Sequence, residues 1–317
     1  SLRPSQPHPC GVPEGMRCAV YLAAVYRTVH ADRGAAFADE HGLMAKKAVL
    51  DHGWKISLKA TFPNPDDEED APLPAFGHAS IHDLIENYVV ASLDGTPGVD
   101  SRTKIHPEGA RRASAVLQVA HAVYGVEHAP LLPDVVLLLL TCMDAACASA
   151  AVREMVAGSP RYFPCGGPTE HAAWCRTFAE TVRHFYPETH ALMEEIGATS
   201  TEGLAPIFAR FFVTVLPHEC VRRIFDMYLC EGYKVLFRFG LALIASFKSE
   251  MKNMQITDVL TWWGVVRSLA YAPAFDFELL QKKAYERFLG RRLGRRRRLP
   301  GRRHLARALK LNETWPR

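Results

Sequence analysis

Leu216-Pro217-His218-Glu219-Cys220-Val221-Arg222-Arg223-Ile224-Phe225-Asp226-Met227-Tyr228-Leu229-Cys230-Glu231-Gly232-Tyr233-Lys234-Val235-Leu236-Phe237-Arg238 is the stretch on which the fold turns. It reads as two amphipathic helices joined at Glu231-Gly232, where glycine permits the turn. Leu216-Pro217 opens the first helix, and Glu219 complements its dipole. That placement accounts for His218-Glu219-Cys220 without a metal.

Helical periodicity extends outward in both directions. Met16, Val20, Ala23 and Ala24 share one helical face, and further helices are predicted over 81–90, 110–124, 133–142, 169–185, 188–196, 203–215, 217–230, 232–249, 256–270 and 275–288. Between them, 61–77 (TFPNPDDEEDAPLPAFG) and the Gly/Pro-rich 158–168 read as loops. The first has too little apolar surface to offset its ordering entropy and is expected to be mobile. No segment alternates convincingly as a strand, so the fold class is all-α. Phe208, Phe211, Phe212, Trp262 and Trp263 read as core.

Composition narrows the function. The 317 residues are 48% hydrophobic and 23% charged, which excludes a wholly disordered chain. Eight scattered cysteines without a C-x-x-C pair read as reduced thiols of a cytoplasmic protein, with no metal site. The apolar run Val135 to Met143 is far short of the about 20 residues a spanning helix needs. The N-terminus, with Pro4, Pro7 and Pro9, does not read as a signal peptide. The net charge of +4 conceals eleven Lys or Arg between Arg287 and Asn312 with no acid among them. Such a segment seeks phosphate-rich partners such as anionic membrane. There is no Gly-Lys pair, no G-x-G-x-x-G, no H-E-x-x-H and no G-x-S-x-G, so the common nucleotide, zinc and serine-hydrolase sites are missing. His106, His121 and His128 read as surface or capping histidines, and no cofactor is expected.

The 216–238 stretch resembles the C-terminal signature of the TBC domain, the Rab GTPase-activating fold, through Arg223, Asp226, Glu231, Gly232 and Lys234 in LP…R-I-F-D…E-G-x-KVLFR. Gly11-Val12-Pro13, Arg17 and Tyr21 resemble the family's opening, and Phe208 to Val215 the helix before its LP motif. The resemblance implies an all-α, V-shaped, two-lobed domain over 10–289, between an extension at 1–9 and a basic tail at 290–317. It also implies a Rab-family GTPase as partner. Active members supply an arginine from I-x-x-D-x-x-R and a glutamine from Y-x-Q. The first meets negative charge developing on the phosphates and the second orients water, the arginine being worth about 10³–10⁵ in rate.

This chain departs from both motifs. It holds no D-x-x-R and no Y-x-Q. Alignment from the apolar helix places His128-Ala129-Pro130 at Y-x-Q, and proline has no side-chain amide. At the arginine position one register gives Glu86, of the wrong charge. The other gives Arg102, one residue early in a loop, as a displaced finger. The shortened stretch between Asp100 and Pro130 is similar to an atypical branch, that of Skywalker and its vertebrate relatives. In that branch a phosphoinositide headgroup pocket is lined by basic residues; Arg17 and Arg223 match two of them. Their simpler role is an arginine–carboxylate link between helices, for which Asp226 is the expected partner of Arg223. The expectation is a Rab-binding TBC protein of membrane traffic without dual-finger catalysis, cytoplasmic and peripheral on membranes. The rivals are an active GTPase-activating protein using Arg102, and a phosphoinositide module.

Overall fold

Proline and aspartate set most of the helix starts. Pro107, Pro133, Pro168 and Pro187 stand in first turns, where a missing N–H leaves nothing unpaired. Asp144, Asp258 and Asp276 cap three more helices, accepting from the N–H groups of Cys147, Thr261 and Glu278. His106 caps the helix that Pro107 begins, through Nδ1.

The computed structural model describes residues 12, 16–29, 47–62, 73–79, 81–86, 89–91, 102–104, 106–158, 161–164, 166–252 and 254–287. The elements are α1 (Arg17–Val29), α2 (Lys47–Thr61), α3 (Ile81–Glu86), β1 (Val89–Ala91), β2 (Arg102–Lys104), α4 (Pro107–Ala122), α5 (Leu132–Leu140), α6 (Ala145–Ala157), α7 (Pro168–Phe185), α8 (Pro187–Glu195), α9 (Ala205–Phe208), α10 (His218–Glu231), α11 (Lys234–Lys252), α12 (Val259–Ala270) and α13 (Phe277–Lys282), the last running into a π turn, Lys283–Arg287. The fold is all-α, with one small ribbon.

Packing divides the helices into two groups. In the first, α1 and α2 lie on α6, and α4, α5 and α6 pack on one another. In the second, α11 is the hub for α8, α9, α10, α12, α13 and the π turn, with α7 against α8 and α9. Helix α1 bridges the groups by also packing on α10. One apolar core runs through both, including Phe208, Phe211, Phe212, Trp262 and Trp263.

Two expectations need correction. The helix predicted over 81–90 stops at Glu86, and Val89–Ala91 instead pairs antiparallel with Arg102–Lys104. The helix predicted over 203–215 ends at Phe208, because Phe211 and Phe212 take left-handed backbone, φ 41° and 61°. Both rings are fully buried, so packing wins over helical propensity. Of the acidic 61–77 segment, Phe62 and Phe76 are buried, and residues 63–72 lie outside the described residues.

Candidate functional site

The signature residues are joints between helices. On α10, the Asp226 carboxylate accepts from the Tyr21 hydroxyl and lies 3.5 Å from Arg17 Nη1, both on α1. Arg17, only 7% exposed, also donates through Nε to the Val12 carbonyl at 3.0 Å and through Nη1 to Tyr21. Burial pushes the Tyr21 phenol well above its ordinary value, and the hydrogen bond to Asp226 adds to this. Burial also raises the Asp226 carboxyl, against the pull of Tyr21 and Arg17.

Asp226 is therefore not the partner of Arg223. Arg223 reaches Glu278 at 2.5 Å and Gln281 at 3.1 Å, and lies over the Phe277 ring at 4.6 Å. The two residues face different neighbours: Asp226 meets α1, and Arg223 meets α13.

At the α10–α11 turn, Glu231 pairs with Arg238 and accepts from the Tyr285 hydroxyl at 2.9 Å, which ties the turn to the π segment. Gly232 has φ 71°, and a Cβ there would come 2.2 Å from the Arg161 carbonyl oxygen. That carbonyl accepts from Tyr233 N–H at 2.9 Å, so only glycine lets the two backbones meet this closely. Lys234 is exposed.

The segment aligned to Y-x-Q is turned inward. Phe76 and His128 form a parallel bridge, Ala129 N–H donates to the Phe76 carbonyl at 3.1 Å, and His78 Nε2 donates to the Pro130 carbonyl at 2.7 Å. Gly77, at φ 98°, allows this: a Cβ would meet His128 at 2.6 Å and Pro130 at 2.8 Å. His128 is half-buried, where a surface or capping histidine was expected. Its ring lies 5.8 Å from that of His171, and its buried Nε2 has no hydrogen-bond partner among the described residues. Burial lowers the proton affinity of His78 and His128, and takes His171 down to about 4, so these rings are neutral at pH 7.

Beside them Asp134, fully buried at the start of α5, accepts from Arg210 Nε at 2.9 Å. Burial raises its carboxyl, opposed by Arg210. Phe76, bridged to His128, brings backbone strain to this enclave at φ 48°. Sequence reasoning missed His78, His171 and the Asp134–Arg210 pair. The available signal was a carboxylate at the head of the apolar run 135–140, which demanded a cation from elsewhere.

Glu86 ends α3, and Arg102 begins β2 opposite Ala91, so Arg102 stands on a paired strand rather than in the expected loop. The 92–101 connection and the 290–317 tail lie outside the described residues. Arg17 and Arg223 sit on or beside the α1–α10 joint, each facing a carboxylate. Among the described residues, no group of three or more His, Cys, Asp or Glu is placed to hold a metal.

A two-group helical scaffold whose joints coincide with the TBC signature defines the class, and comparison with known proteins agrees. Residues 116–252 match the Rab-GTPase-TBC domain family. TBC1 domain family member 24 of Xenopus laevis is 31% identical over 131 residues, covering 38% of this chain and 22% of that protein. The chain therefore spans about a fifth of the length of this relative. The crystal structure of the TBC domain of Skywalker/TBC1D24 from Drosophila melanogaster superposes with a TM-score of 0.65 at 16% identity, over 96% of this chain and 88% of that one. The same domain in complex with inositol(1,4,5)triphosphate gives 0.61 at 16% identity, over 87% and 86% of the two chains. Residues 116–252 are thus similar to the Rab-GTPase-TBC domain family, and the fold is that of a TBC domain.

Proposed function

We propose that this chain binds a Rab-family GTPase as an effector or scaffold in membrane traffic, without dual-finger catalysis. One observation carries the reading. The backbone aligned to the glutamine motif ends in Pro130, buried, with its carbonyl held by His78 at 2.7 Å. This segment offers no amide to a nucleotide and is tied away from solvent by the 76–78 turn. Binding is a separate matter, because a standard interface spreads over about 20–30 residues per side and the fingers are two short elements. Losing them removes transition-state stabilisation and leaves most of the contact surface.

The test is affinity for a panel of Rabs in GTP-analogue and GDP forms. Saturable binding to at least one supports the reading, and no binding to any in either state overturns it. The rival, an active GTPase-activating protein, draws on Arg102 standing in the β1–β2 ribbon. Any activity found should then vanish in Arg102→Ala.

A second reading, contact with a phosphoinositide or an anionic membrane, is supported by the Skywalker complex with inositol(1,4,5)triphosphate and by the charge of residues 287–312. Each basic residue near such a surface contributes roughly 1 kcal/mol at ordinary salt. Truncation at Gly290 should abolish pelleting with anionic vesicles if the tail is the anchor. Pelleting that survives truncation and is lost in Arg223→Ala would place the contact at α10. The protein would then work in the cytoplasm, peripheral on membranes; no described helix is long and apolar enough to cross one.

A further inference from the structure

Helix α12 buries one face and presents the other to solvent. Trp262, Trp263 and Val266 point into the core. Leu260, Gly264, Arg267 and Tyr271 recur at i, i+4, i+7 and i+11, so they form one stripe along the opposite face, and all four are exposed. Leu260 is 86% exposed, more than any other large apolar side chain among the described residues. One turn on, Gly264 lies inside the helix, where glycine is weaker than alanine. A Cβ at 264 would meet no atom within 4 Å, so the packing of this chain gives no reason for a glycine there. A protruding leucine and a notch without a side chain, one turn apart, are complementary in shape.

The charges of the helix are complementary in the same sense. Asp258 caps its N-terminus, accepting from Thr261 N–H at 2.8 Å, and Arg267 stands in its last turn, 5.6 Å from the Tyr271 ring. Neither makes an ion pair among the described residues. The helix therefore has an unpaired acid at one end and an unpaired base at the other. Two such helices side by side and parallel would set like charges together; antiparallel, they set acid beside base at both ends. We propose that a second copy of this chain docks on α12, the two helices antiparallel about a two-fold axis, as a weak homodimer. An axis passing between Trp262 and Trp263 brings position 258 level with 267 and position 261 level with 264. Leu260 of each copy then fills the notch at Gly264 of the other, and Arg267 of each comes beside Asp258 of the other. Such an interface is isologous, each contact occurring twice. An anionic bilayer fits the stripe less well, since Asp258 would be repelled and a single leucine would insert. A pair of short helices covers less than the about 1,200 Å² of a standard interface, so the expected Kd is on the order of 10–100 µM.

The experiment is sedimentation velocity on the full chain from about 1 to 300 µM, in about 0.05 and 0.5 M salt. A monomer–dimer equilibrium that weakens in the higher salt is expected. Leu260→Glu and Gly264→Phe, both at exposed positions, should each raise Kd by about tenfold or more, by removing the knob or filling the notch. Asp258→Asn keeps a capping side chain and removes only the charge, so it should raise Kd by about threefold or more, as should Arg267→Gln. Combining the two should cost no more than either alone, because they belong to one pair. Ile56→Glu, at an exposed apolar position on α2, should leave Kd unchanged. A chain that stays monomeric up to about 300 µM in low salt would overturn the proposal. So would a dimer that Leu260→Glu leaves intact, one in which the two charge variants add, or one that Ile56→Glu dissolves.

Discussion

An imidazole in water binds its proton near pH 6.5, and His171 does so only at about 4, because burial disfavours its charged form and His128 lies beside it. Between those values the unfolded chain binds the additional proton and the folded chain does not. The stability tied to His171 is therefore fully present above about pH 6.5 and is lost as pH falls towards 4. The shift corresponds to about 3 kcal/mol. His78 and His128, also lowered by burial, act in the same direction. Urea denaturation at intervals between pH 7 and 4 should show this slope, and His171→Leu should flatten it. An unchanged slope in the variant would show that His171 is not its source. Asp134 and Asp226, whose carboxyls are raised, have the opposite sign and are common to both proteins, so the comparison isolates the histidine.

The α10–α11 turn shows how one glycine can decide an element. Alanine at 232 would combine a left-handed backbone with a carbonyl oxygen 2.2 Å from its Cβ, so Gly232→Ala should lose roughly 3 kcal/mol or more in chemical denaturation. Lys234→Ala, on the exposed face two residues on, should stay within about 0.5 kcal/mol. Equal effects would mean that the turn tolerates a side chain. Elements of this kind were legible in the sequence, because α10, α11 and α12 carry long apolar periods and marked ends. Others were not. β1 and β2 have three residues each, too few for an alternation to appear, and their pairing spans a connection with no pattern of its own. The run at 203–215 has helical spacing, yet Arg210 is drawn to Asp134 and the two phenylalanines to the core. Of the site, the absence of D-x-x-R and Y-x-Q could be read directly, since absence of a motif needs no structure. The histidine enclave could not, because His78, His128 and His171 come from three segments far apart in the chain.

Across the whole molecule the two helix groups depend on α1, whose Arg17 and Tyr21 close on Asp226. Asp226→Ala would leave Arg17 buried without its carboxylate, and a loss of about 3–5 kcal/mol is expected. Replacing both residues by apolar ones should recover much of that loss, since the desolvated charge is then gone. A double variant no better than the single would show that packing around α1, and not charge, dominates the joint. The scaffold is thus held at the α1–α10 joint, while the segment 128–130 is folded inward around Pro130. The decisive measurement is single-turnover GTP hydrolysis by a panel of GTP-loaded Rabs at saturating protein, with a working TBC domain run alongside. Rates that stay near the intrinsic value for every Rab, including any that binds, are the predicted result. Acceleration of any Rab by more than about 10³-fold, the range a competent arginine finger supplies, would contradict the account.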